Sequence, residues 1–254
     1  MTLPSESGSG SPQLATSSWA TWVRRYPFPD PRDALPDGPL AIGGDLSPGR
    51  LLSAYSQGIF PWYDERVPLL WWSPDPRFVL FPEDFRLPRR LRRTRGQPGW
   101  TVTFDTAFSD VIRACAEASR PEQDGTWITD EMEQAYCELH RRGYAHSAEC
   151  WRDGELAGGL YGVSLGSVFF GESMFFRVPD ASKVAFAAFA EALWARRFTL
   201  IDCQQETDHL ARFGARAIPR DSFLDLLVDA VRAPTHRGSW AAWSPEPRVS
   251  AGRA

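Results

Sequence analysis

No apolar run in this 254-residue chain approaches the roughly 18 residues that a membrane helix needs. The opening MTLPSESGSGSPQLATSS has no basic start and no apolar stretch, so it does not read as a secretory signal. Its Ser, Gly and Pro content predicts a disordered leader over residues 1–18. The closing SPEPRVSAGRA reads the same way, as part of a flexible tail over 237–254. Cysteine is sparse: Cys115, Cys137, Cys150 and Cys203 are scattered without CxxC spacing. His140, His146, His209 and His236 do not combine with them into a zinc pattern, so no metal site is expected. Reduced, mostly buried thiols in a cytoplasmic protein are the simplest account. Positive charge is not in excess. The net charge is −4, so any nucleic-acid contact must come from a local patch. No repeat recurs at a fixed period.

Aromatic residues are plentiful. The chain has 11 Trp, and many fall in an early segment rich in Pro and Gly, residues 19–75, expected to form a small N-terminal domain. Within it, Ser47 and Pro48 signal a helix start, Leu51, Leu52 and Tyr55 give that helix an apolar face, and Gly58 can end it. RLPRRLRRTR then places Arg89, Arg90, Arg92, Arg93 and Arg95 close together.

Beyond Trp100 the pattern becomes regular. Ala107, Phe108, Val111, Ile112 and Cys115 have helical spacing, as do Met132, Ala135, Tyr136 and Leu139. A strand meander follows, with a strong hairpin turn at Asp153-Gly154 and a second near Gly166. A helix from about Ala181 to Arg196 is apolar nearly all round and should be buried by a sheet. FTLID is the next strand, before a short helix and a last helix near Ser222 to Val231. This order predicts an α/β (α+β) sheet packed by helices, with the larger domain over 76–236.

In LIDCQ an apolar strand stops at acid, thiol and amide. Strand alternation would turn Cys203 into the core and Asp202 with Gln204 to the opposite face. Nothing in the sequence supplies the base or lowered pKa that a Cys203 nucleophile requires. In FFGESMF, Glu172 stands among apolar and small residues, where a carboxylate is costly unless it is paired or faces a cleft.

Eight stretches together carry a resemblance: LAIGGDLSPGRLLSAYSQGIFPWY, PLLWWSPDPR, GTWI, AYCELHRRGYAHSAECW, LAGGLYGVSLGSVFFGESMF, ASKVAF, LIDCQ and FGARAIPR. In this order, over about Tyr26 to Leu227, the chain resembles the leucyl/phenylalanyl-tRNA–protein transferases of the bacterial N-end rule pathway. The resemblance implies a small N-terminal domain before a catalytic domain similar to GCN5-related acetyltransferases. It implies transfer of Leu or Phe, and less readily Met, from tRNA to proteins with N-terminal Arg or Lys, without a cofactor. Gln204, Asp202 and Glu172 would be catalytic or hold the acceptor. Leu160, Phe169, Met174, Phe189 and Ile201 would line the amino-acid pocket; ordinary core is the alternative. Trp62 and Trp127 would stack on the terminal adenosine. The five arginines would bind tRNA phosphates, for which their forked guanidiniums are suited.

Such chemistry is aminolysis of an already activated ester, so a covalent enzyme intermediate is not required. The enzyme must orient the reactants, accept an amine proton and stabilise an oxyanion. Some positions depart from the family pattern. Phe176 stands where Ser is common, ARFGA replaces a SLGA-like stretch, and Ala148 and Cys150 occupy usually apolar positions. Two other readings are a CoA-dependent acetyltransferase and a non-catalytic RNA-binding module. The first lacks its pyrophosphate loop in this sequence. The second leaves Glu172, Asp202 and Gln204 unexplained.

Overall fold

The computed structural model describes residues 19–118 and 127–246. The leader expected over 1–18 lies outside the described residues.

The α/β expectation holds: a seven-stranded mixed sheet carries helices on both faces, and a three-stranded sheet precedes it. The small sheet joins β1 (Ala41–Ile42), β2 (Phe60–Pro61) and β3 (Leu70–Trp72), with β3 in the centre. Helix α1 spans Trp19–Arg25, and α2 (Pro48–Ser56) lies between β1 and β2. Ser47 precedes α2 as expected, but its hydroxyl makes no cap. Instead its N–H donates to Asp45 Oδ1 at 2.9 Å.

The large sheet is built from β4 (Arg77–Leu80), β5 (Trp100–Phe104), β6 (Ala145–Arg152), β7 (Glu155–Leu165), β8 (Val168–Phe176), β9 (Leu200–Gln204) and β10 (Arg216–Ile218). Its order is β10-β4-β9-β8-β7-β6-β5, antiparallel except for β8 beside β9. The β6–β7 hairpin turns at Asp153-Gly154, both with positive φ, as that dipeptide favours. Helices α3 (Arg89–Thr94), α4 (Phe108–Glu117), α5 (Asp130–Arg141), α6 (Ala181–Trp194), α7 (Asp208–Ala211) and α8 (Arg220–Ala230) complete the chain order.

Alternation along β7 divides the core. Tyr161, Val163 and Leu165 pack with α2, α4, α5 and α8, through Tyr55, Ile112, Tyr136 and Phe223. Leu160 faces the other cluster, around Val184, Phe189 and Leu193 of α6. Gly158 lets α6 begin close to the sheet, because a Cβ there would stand 2.7 Å from Ala181 Cβ. The start of α6 is thereby held beside the ends of β7 and β8.

Residues 237–246, expected within a flexible tail, pack on the sheet. Trp240 is buried and stacks on His146 at 3.5 Å. Its N–H donates to Asp105 Oδ2 at 2.7 Å, and the same oxygen meets His146 Nδ1 at 2.8 Å. In sequence this anchor is inconspicuous, because SWAAW is too short to show a helical or strand period. Trp240→Ala should lower unfolding free energy by about 3–5 kcal/mol, the usual cost of deleting a buried aromatic. Denaturant unfolding followed by circular dichroism checks this, and an unchanged midpoint would contradict it.

Candidate functional site

Two β-bulges shape the candidate site. On β8 the register jumps from Ser173 opposite Tyr161 to Gly171 opposite Gly162, so Glu172 is the extra residue. On β9 it jumps from Gln204 opposite Phe78 to Asp202 opposite Val79, so Cys203 is extra. Bulges re-aim side chains and end regular pairing. The parallel pairing of β8 with β9 stops at Phe170 opposite Asp202. Past that point the strands are joined by a side-chain contact, and a cavity of about 380 Å³ opens.

Gln204 Nε2 donates to Glu172 Oε1 at 2.8 Å across this gap. Tyr136 of α5 donates its hydroxyl to Glu172 Oε2 at 2.8 Å, and the buried hydroxyls of Tyr136 and Tyr55 are hydrogen-bonded in turn. Burial raises the Glu172 pKa to about 7, with a further upward push from Asp202, against the opposing hydrogen bonds from the tyrosines and Gln204. An internal arginine partner, the alternative explanation of a buried Glu172, is not what satisfies it.

Asp202 is fully buried and held by Arg77, whose Nε and Nη2 lie 2.8 and 2.7 Å from its two oxygens. Oδ1 of Asp202 also accepts from the Gln204 N–H at 2.9 Å. Gln204 adopts a φ of 63°, a left-handed conformation uncommon for a residue with a side chain. The expected alternation therefore fails at Gln204, which joins Cys203 at the cavity instead of sharing a face with Asp202. Cys203 and Ile201 line the cavity, while Asp202 turns away from it onto Arg77. The bulge at Cys203 and the turned backbone of Gln204 are the physical reasons. Cys203 is half-buried and lines the cavity rather than lying beneath its neighbours, and burial first and Asp202 second push its thiol pKa upward.

The cavity brings together Trp62, Trp127, Leu160, Met174, Ile201, Glu172 and Gln204 from the expected set. Phe169 and Phe189 are not in its wall. They pack edge-on to each other at 4.7 Å and against Trp240, one layer deeper in the core. Phe186, Tyr161, Phe60 and Leu210 complete much of the wall and were not singled out from sequence. Their apolar spacing reads equally as core, so alternation alone could not separate them. Trp62 is fixed by Trp72, which crosses it at 5.4 Å and donates its indole N–H to the Trp62 carbonyl at 2.7 Å.

Arg89, Arg90, Arg92 and Arg93 are exposed on α3, whereas Arg95 is held by Glu191 at 2.9 Å. Arg90 lines a groove of about 530 Å³ with Phe176, Lys183 and Arg212. His209 borders both this groove and the cavity, and burial, with Lys183 and Arg212 nearby, lowers its pKa to about 4. The groove therefore presents Arg90 and Arg212, with Lys183 paired to Asp180 at 2.8 Å, next to a neutral imidazole. Among the described residues no helix is long and apolar enough to cross a membrane.

The sequence profile described as "Leucyl/phenylalanyl-tRNA protein transferase" matches residues 79–228, and that of its N-terminal domain matches 44–75. The chain belongs to the leucyl/phenylalanyl-tRNA–protein transferase family. A "Leucyl/phenylalanyl-tRNA--protein transferase" from Anaeromyxobacter sp. (strain K) is 58% identical over 217 residues, 85% of this chain and 93% of that protein. One from Myxococcus xanthus (strain DK1622) is 57% identical over 213 residues, 84% of this chain and 91% of that protein. The transferase is thus an aminoacyltransferase, with aminoacyl-tRNA and protein as its substrates. Solved structures with a similar layout include a "GCN5-related N-acetyltransferase from Kribbella flavida", with a TM-score of 0.34 and 14% identity over 67% of this chain and 60% of that one. A likeness this weak says nothing of activity.

With Cys203 a wall residue of raised pKa, attack by its thiolate to form an aminoacyl thioester has no support in the transferase site. Cys203→Ala should transfer amino acids near the wild-type rate in a steady-state assay. Abolished turnover with intact folding would restore the thiol as a nucleophile.

Proposed function

We propose that the chain moves Leu or Phe, and less readily Met, from aminoacyl-tRNA to the α-amine of proteins that begin with Arg or Lys. This marks them for N-end rule degradation in the cytoplasm, where aminoacyl-tRNA is available. The observation that carries this reading is the Gln204–Glu172 pair, a polar edge on a largely apolar cavity flanked by Trp62 and Trp127.

The roles follow from donor and acceptor chemistry. Glu172 needs donors, so Gln204 turns its Nε2 toward it and keeps Oε1 to accept from the incoming amine. An N-terminal amine has a pKa near 8, so on the order of a tenth is neutral at pH 7. Its nitrogen attacks the ester carbonyl carbon, the C–O bond to the ribose breaks, and an amine proton ends on the released ribose hydroxyl. Gln204 orients that amine. Glu172, poised near neutrality, takes up charge beside it and attracts the cationic first residue of the acceptor. Asp202 acts behind Gln204 through the backbone N–H it accepts.

Leu160, Met174 and Ile201, with Phe186, form the apolar wall for the transferred side chain. One methylene in such a pocket discriminates by only about 1–3 kcal/mol, so shape must reject branched side chains. The flexible Met174 allows the wall to admit both Leu and Phe. Phe169 and Phe189 support this wall from beneath. Trp62 and Trp127 offer faces for the terminal adenine. Arg89, Arg90, Arg92 and Arg93 bind tRNA phosphates.

The direct test is radiolabelled Leu-tRNA with a peptide beginning with Arg. Labelled peptide is expected, and none would overturn the reading. Gln204→Ala and Glu172→Ala should lower turnover more than they weaken tRNA binding. The wild-type pH profile of kcat/KM should rise in two steps, one near 7 as Glu172 ionises and one near 8 as the acceptor amine loses its proton, and Glu172→Gln should remove only the first. An unchanged profile would exclude Glu172 from the titration. Replacing Arg89, Arg90, Arg92 and Arg93 with Gln should weaken tRNA binding and flatten its salt dependence, by a slope of up to about 0.9 per lost phosphate contact on a duplex.

A further inference from the structure

Arg77 stands outside the cavity wall, yet the contact that places the Gln204 backbone leads back to it through Asp202. It opens β4, in the otherwise apolar run RFVL, and is 1% exposed. Its guanidinium lies between the rings of Phe60 and Phe223, at 4.9 and 4.6 Å. Phe60 belongs to the small sheet and Phe223 to α8, so one side chain ties three parts of the fold together. The fork bonds to both oxygens of Asp202 prevent that carboxylate from rotating. Asp202 Oδ1 can then receive the Gln204 N–H, which supports the left-handed turn, and the turn carries Gln204 Nε2 onto Glu172.

We propose that Arg77 is a positioning residue for aminoacyl transfer, acting on Gln204 through Asp202. The proposal rests on the reading that Gln204 orients the attacking amine. Burial supports a positioning role over a purely stabilising one. A buried ion pair adds little net stability compared with apolar residues of similar volume, and Nη1 of Arg77 has no hydrogen-bond partner among the described residues. What the pair does supply is a fixed direction for one carboxylate oxygen. An ammonium could neutralise Asp202 but, lacking the planar fork, would leave it free to rotate.

Arg220 provides an internal comparison. It is 6% exposed and donates to the carbonyls of Ser73 and Arg32 at 2.8 and 3.0 Å, tying α8 to the N-terminal segment. It has no bond to Asp202, Gln204 or Glu172.

The experiment measures kcat, KM for Leu-tRNA and for an Arg-initiated peptide, and Tm in the full-length chain carrying Arg77→Lys, Arg220→Lys or Gln204→Ala. Arg77→Lys should lower kcat at least about tenfold while both KM values stay within about threefold, as expected when orientation rather than binding is lost. Arg220→Lys should lower Tm and keep kcat within about twofold. If Arg77→Lys keeps its kcat, or if kcat falls equally in both arginine variants, Arg77 is only structural and the proposal fails. If Gln204→Ala is fully active, the underlying reading of the site fails instead. Should Arg77→Lys not fold, the apolar pair Arg77→Leu/Asp202→Leu removes both charges together. A folded pair with kcat as low as Gln204→Ala supports positioning, and one with wild-type kcat overturns it.

Discussion

The buried ion pair of Arg77 with Asp202 is the constraint on which the candidate site depends. Both groups are withdrawn from water, so each must stay paired, and the bidentate geometry fixes their mutual orientation. From this pair the order passes outward, to the backbone N–H of Gln204, to its amide, and to the carboxylate of Glu172. Tyr136 and Tyr55 complete the chain from the opposite side, through α5 and α2. A site assembled this way is preorganised, since its members have few other arrangements open to them.

The sheet prepares the space in which this order matters. Parallel pairing of β8 with β9 gives way at Phe170 and Asp202, and each strand carries a bulge near that point. The cavity opens where backbone hydrogen bonding ends. Its wall mixes apolar side chains from the core with the polar pair of Glu172 and Gln204, which suits a substrate that is apolar at one end and reactive at the other. The exposed arginines of α3, with Arg212 across the groove, extend a cationic surface from the same region.

Much of this was legible in the sequence, for identifiable reasons. The helices of Val111, Tyr136 and Val184 announce themselves by spacing, and Asp153-Gly154 marks its hairpin. Glu172 stood out because a carboxylate amid apolar residues needs a special environment. Alternation failed at LIDCQ, because a bulge breaks the period of two on which that argument rests. Arg77 passed unnoticed because its partner lies 125 positions away, a separation that no local pattern reveals. Phe169 and Phe189 differ from Phe186 only in depth, which depends on how α6 meets the sheet. Trp240 was hidden because SWAAW is too short to carry a period.

In the proposed transfer, Gln204 orients the acceptor amine beside Glu172. A crystal structure with a non-hydrolysable phenylalanyl-adenosine amide and a peptide beginning with Arg tests it most directly. The peptide α-nitrogen should lie about 3 Å from Gln204 Oε1, with the adenine against Trp62 or Trp127. An α-nitrogen beyond hydrogen-bond reach of Gln204, with another side chain in its place, would exclude Gln204 from that role.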